Sequence, residues 1–277
     1  MGITAAQVNE LRKKTGAGMM DCKKALNESN GDMEAAIDYL RKKGQKISAK
    51  RADRDATEGA VIAKVDQDAK LGVVLRLNCE TDFVAKNNDF VDFANQLAQL
   101  ALENSCETIE HINQLEIDNK KVAEIIVDKV GTIGEKIEIG EYYTTRGNGV
   151  VDYIHGGNKI GVLVVMNQSL DDTKKSTGKD LAMQIAAMNP VSVDENSVPE
   201  EVKQRELEIG REQARQEGKP EAMIEKIALG KLNKFYKEQT PVSYTHLRAH
   251  ETGRNRVLRV GLVKKRGGGG GGGGGGG

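Results

Sequence analysis

The chain has 277 residues, 38% of them hydrophobic, with 41 Lys and Arg against 41 Asp and Glu, the make-up of a soluble globular protein of one to three domains. The neutral total hides an acidic body: residues 1–240 hold 34 basic and 40 acidic side chains, which excludes a nucleic-acid backbone binder, since that needs a basic face. Three cysteines (Cys22, Cys79, Cys106) without CxxC spacing exclude a disulfide framework or zinc knuckle, and no apolar run nears the roughly 18 residues of a membrane span, so the expected location is cytoplasmic.

Residues 1–56 read as three short helices and a basic linker. Thr4 followed by Gln7 is a capping box that opens the first helix, with Val8 and Leu11 on its apolar stripe and Gly16 and Gly18 at its end. The second carries Met19, Met20, Cys22, Ala25 and Leu26. Asp32 caps the third, whose Met33, Ala36, Ile37 and Leu40 keep helical spacing, and Gly44 is expected to stop it. The stretch Lys46 to Arg54 is basic and polar and reads as a linker helix. So small a core suits a docking module better than a catalytic one.

From Gly59 the apolar period falls to two and a repeat begins. Residues 59–78 align with 149–167, each reading as strand, polar turn and strand, with Leu71-Gly72 against Ile160-Gly161. A helix follows each hairpin: Phe93, Ala94, Gln96, Leu97 and Ala98 match Leu181, Ala182, Gln184, Ile185 and Ala186. The expected class is α+β, with a duplicated core of hairpin-plus-helix units over 57–140 and 141–194. The copies differ between hairpin and helix. The first has Cys79-Glu80-Thr81-Asp82-Phe83-Val84-Ala85-Lys86, the second a polar QSLDDTKKSTG stretch without an aromatic, and Phe83 either tucks under its helix or stands out as a wedge for a partner.

Residues 195–240 read as an antiparallel helical hairpin broken at Gly218-Lys219-Pro220; its first arm is too polar to be core on all sides, and is expected to project. Beyond Thr240 the string VSYTHLRAHET resembles a translated sequencing adapter and 11 glycines close the chain. Residues 241–277 are therefore expected to be a non-native tail.

No catalytic constellation fits. Gly178-Lys179-Asp180 lacks the spacing and hydroxyl of a phosphate-binding loop. A Cys79 and His155 nucleophile pair lacks an orienting group, and Asp82, Asp89 and Asp92 fit a solvated helix N-terminus better than a metal site. No cofactor, metal or direct nucleotide binding is expected, and function must lie in what the chain touches.

Two segments carry a resemblance. LRKKTGAGMMDCKKAL (11–26) and LNCETDFVAKN (77–87) resemble the signature stretches of the translation elongation factor Ts family, over residues 1 to about 240. The resemblance implies a ubiquitin-associated-like module at the N-terminus, a duplicated core, and a protruding antiparallel coiled coil, followed by residues that complete the second sub-domain; with residues 241–277 in their place, one sheet edge is expected to be unpaired. It further implies a guanine-nucleotide exchange factor, not an enzyme, whose partner is the GTPase elongation factor Tu. Matched position by position, Thr81, Asp82, Phe83 and Val84 form the loop that wedges into the GTPase and disturbs its Mg²⁺ and phosphate site. Met19, Met20 and Lys23 match the docking module, and His155 the approach of the second sub-domain to the partner. An adaptor without exchange activity is the rival from another class, and a thiol hydrolase using Cys79 the third.

Overall fold

The computed structural model describes residues 3–188, 190–192 and 195–240, and the backbone of 257–264. Helix α1 (Ala5–Thr15) opens on the expected box: Gln7 N–H donates to Thr4 Oγ1 at 3.3 Å, Thr4 N–H donates to Gln7 Oε1 at 3.0 Å, and Gly16 closes the helix in the left-handed region. Helix α2 (Met19–Glu28) buries Cys22, Ala25 and Leu26, and α3 (Met33–Arg51) starts on the Asp32 cap. Val8, Leu11, Ala17, Cys22, Ala25, Leu26 and Ala36 make their shared core.

Gly44 does not end the third helix. It sits inside α3, and the expected linker is largely that helix's last two turns. The reason lies in packing: a Cβ on Gly44 would stand 3.3 Å from the Val127 carbonyl oxygen, so the glycine is a point of close approach between α3 and a helix about eighty residues later, α7. A glycine that interrupts an apolar stripe has two meanings, stop or contact, and local sequence does not separate them.

Strands β1 (Glu58–Val65) and β2 (Leu71–Cys79) form the first hairpin. A four-residue helix α4 (Asp82–Ala85) and then α5 (Asn88–Glu103) follow. The stretch after α5, which the repeat leaves unread, supplies α6 (Ile109–Gln114), the two-residue strands β3 (Glu116–Ile117) and β4 (Lys120–Lys121), and α7 (Val122–Ile133). Strand β5 (Glu138–Arg146) then completes a sheet of order β1-β2-β5. Helix α5 lays Phe90, Phe93, Ala94, Leu97, Ala98 and Ala101 against Ile62, Leu75 and Leu77 of the hairpin.

The second hairpin is β6 (Gly149–His155) paired antiparallel with β7 (Ile160–Met166), from Gly149 opposite Met166 to His155 opposite Ile160. Helix α8 (Asp172–Met188) covers it, burying Leu181, Ala182, Ile185 and Ala186 against Val151, Val162 and Val164. The chain is thus α+β, with a helix on each hairpin. Helices α9 (Glu200–Gln216) and α10 (Glu221–Gln239) pack on each other, Gly210 facing Ala228 and Arg211 making two hydrogen bonds to Glu225.

Within the tail expected to be foreign, Val257–Lys264 is a strand, β8, placed next to β7 in the order β6-β7-β8. The edge expected to be unpaired is therefore occupied, as the open N–H and C=O groups of an edge strand favour. The rest of 241–277 lies outside the described residues. By internal contacts the chain falls into two units, one holding Met1–Ile62 and Leu75–Tyr142, the other Ala63–Val74 and Tyr143–Val263.

Candidate functional site

The loop leaving β2 is built to hold one aromatic out. Thr81, extended at φ −121 and ψ 154, is the N-cap of α4, its hydroxyl oxygen accepting from Val84 N–H at 3.5 Å. Asp82 pairs with Lys86 one turn on at 2.7 Å, and that hydrogen bond holds its carboxyl below the usual range. Ala85 is buried and Val84 packs against the core of the unit. Phe83 lies between these anchors and is 83% exposed. It does not tuck under the helix; Val84 and Ala85 do that instead. Leaving a phenyl ring in water forgoes roughly 1.5–3 kcal/mol of transfer free energy that a partner could recover.

The base of this loop is clamped to the turn after α7. Helix α7 ends on Gly134 at φ 80, and the next residue, Glu135, accepts at Oε2 from the backbone N–H of Glu80 (3.1 Å) and Thr81 (3.0 Å) and at Oε1 from the Thr81 hydroxyl (2.7 Å). Glu80 returns the exchange. Its carboxylate accepts from Lys136 N–H at 2.6 Å, from Arg51 at 2.7 Å and from Arg54 at 3.1 Å. With its side chain only 15% exposed, burial pushes this carboxyl up, but the Lys136 N–H and the two guanidiniums outweigh that and hold it at about 2.

Glu80, Glu135, Arg51 and Arg54 were not singled out from the sequence. Their partners stand some 26 to 56 residues away, so no local pattern announces them. A groove in the same unit is lined by Asp21 and Lys43 of the N-terminal helices and by Val84, Phe93 and Lys129. Lys129 stands 4.4 Å over the Phe93 ring, and burial lowers its amine below the usual value while Asp89 opposes the shift.

The other expected contact residues stand as follows. Met19 and Met20 are 54% and 75% exposed on the first turn of α2, so neither is core, and Lys23 is exposed on the same helix. They share a unit with Thr81 to Val84. His155 ends β6 in the other unit, exposed, with its Nδ1 3.0 Å from the Tyr153 hydroxyl. Cys79 is fully buried and donates to the Thr81 carbonyl; burial, with Glu135 adding, pushes its thiol up to about 12, which leaves no thiolate for nucleophilic chemistry. Asp89 and Asp92 are exposed on α5, and among the described residues no group of His, Cys, Asp and Glu is arranged to hold a metal. No described helix is long and apolar enough to cross a membrane.

Comparison with known proteins finds likeness to one named family over most of the chain. A family model described as Elongation factor TS matches residues 80–248. A protein named elongation factor Ts from Amoebophilus asiaticus is 53% identical over 240 residues, covering 87% of each chain. Its namesake from Christiangramia forsetii is 50% identical over 246 residues, covering 89% of each, and that from Chlorobaculum parvum 45% identical over 252.

Proposed function

Because the chain belongs to the elongation factor Ts family, we propose that it is the guanine-nucleotide exchange factor of translation elongation, binding the GDP form of elongation factor Tu and speeding GDP release. The observation that carries the mechanism is Phe83, held 83% exposed on a clamped four-residue helix. A GTPase holds GDP through backbone N–H groups of its phosphate loop and a Mg²⁺ shared with the phosphates, so a small displacement of that loop removes much of the affinity. Thr81 to Val84 form the wedge: Thr81 caps it, Val84 anchors it, and Phe83 with Asp82 enters the partner. Such a device needs no acid, base, metal or cofactor of its own. The factor and GDP weaken each other's binding by one shared ratio, since coupling is reciprocal.

In this reading α1 to α3 are a ubiquitin-associated-like module that docks on the GTPase through Met19, Met20 and Lys23, all exposed on α2. His155 provides a second contact, and α9 with α10 forms the antiparallel coiled coil. The setting is the cytoplasm, where translation runs, without nucleic acid or membrane as partner. Release of mant-GDP from purified elongation factor Tu tests the proposal. The chain should accelerate release and Phe83→Ala should lose most of that acceleration; an unchanged release rate would leave only an adaptor.

A further inference from the structure

Resting on the exchange reading, we infer that Glu135 is a positioning residue for the wedge and that it fixes the direction in which Phe83 is presented. A helix of four residues has no stability of its own, because helix nucleation is unfavourable and α4 is far shorter than a self-sustaining helix. Something outside it must set its axis. Thr81 is the only side-chain cap, and a hydroxyl has one proton to give. In the structure that proton goes to Glu135 Oε1 at 2.7 Å, which leaves the oxygen's lone pairs free to accept from Val84 N–H. The other carboxylate oxygen takes the N–H groups of Glu80 and Thr81, where the strand ends. One side chain thereby fixes both the hydroxyl rotor that caps α4 and the backbone that leads into it.

The clamp is reciprocal. Glu80 reaches Lys136 N–H beside Glu135, and Arg51 and Arg54 bring the end of α3 to the same carboxylate. The wedge is registered both to the turn after α7 and to the N-terminal helices, all within one unit. A wedge on a loose base would still touch its partner but transmit little displacement. The expected signature is therefore a loss of maximal rate without an equal loss of affinity.

The test uses the full chain with elongation factor Tu loaded with mant-GDP, measuring release against factor concentration for the wild type, Phe83→Ala, Glu135→Gln and Glu135→Ala, with thermal midpoints for each. Glu135→Ala should lower the maximal release rate on the order of tenfold while shifting the half-saturating concentration less than about threefold. Glu135→Gln, which keeps one acceptor for the backbone pair but turns a donor toward Thr81, should fall between. Where the alanine variant does not fold, Glu135→Asp keeps the charge but shortens the reach, and should show the same loss. Wild-type release at saturation by these variants, or a shift in half-saturation alone, overturns the positioning role even if Phe83→Ala is inactive. No acceleration by the wild type, or full activity of Phe83→Ala, brings down the exchange reading and this inference with it.

Discussion

Phe83 touches the interior through nothing that its neighbours do not already provide, so its removal separates stability from activity. Phe83→Ala should leave the unfolding free energy from urea titration within about 0.5 kcal/mol of the wild type, as is typical of surface changes, while exchange collapses. A parallel drop in stability would mean that the ring is part of the core after all. Glu80 behaves in the opposite way. Its carboxyl, held at about 2 against an ordinary 4.5, contributes stability that is fully present above pH 4.5 and is lost as the pH falls toward 2. The contribution is on the order of 2–3 kcal/mol for a side chain so little exposed. Glu80→Gln should therefore be less stable than the wild type at neutral pH, with the gap closing between pH 4.5 and 2. Urea midpoints of both proteins across that range check it, and a gap independent of pH would show that the carboxylate's charge does not matter there.

At the scale of elements, glycines decide which helices approach. A Cβ on Gly131 of α7 would lie 2.7 Å from the Gly44 Cα of α3, backbone against backbone, with no flexible side chain to yield. Gly131→Ala should cost about 1–3 kcal/mol through forced separation of the two helices. Gly230, in the middle of α10, has nothing within 4 Å, so Gly230→Ala should gain about 0.5–1 kcal/mol by relieving glycine's entropy cost in a helix. Calorimetry of the two variants gives opposite shifts in Tm if these spaces are as described. The same crossing accounts for the misread end of α3: a sequence stripe broken by glycine looks finished, yet the helix continues because its partner needs the room.

For the whole molecule, the proposed function divides one task between two units. Thr81 to Val84 and the exposed methionines lie in one unit and His155 in the other. On the proposed function, His155→Ala should raise the half-saturating concentration of the factor while leaving the maximal rate of GDP release near wild type. Phe83→Ala should do the reverse. A titration of mant-GDP release for each variant distinguishes them, and a fall in maximal rate for His155→Ala would assign that histidine to the wedge's own action.

Much was legible without coordinates, because it is written in local spacing. The Thr4 to Gln7 box, the Asp32 cap, the two hairpins of the repeat and the break at Gly218-Lys219-Pro220 each rest on residues within a few positions of one another, and so does the TDFV turn itself. Contacts across the chain were not legible. That Phe83 faces water while Val84 turns inward depends on where the core lies relative to a four-residue helix. That Glu135 accepts from Glu80 N–H while the Glu80 carboxylate accepts from Lys136 N–H, across about 55 residues, depends on α7 ending beside β2, and that Gly44 is a crossing depends on α7 being there to cross. Local chemistry determined which elements form and where the Thr81–Val84 turn sits in the chain; only long-range packing decided which way Phe83 faces and what holds the turn still.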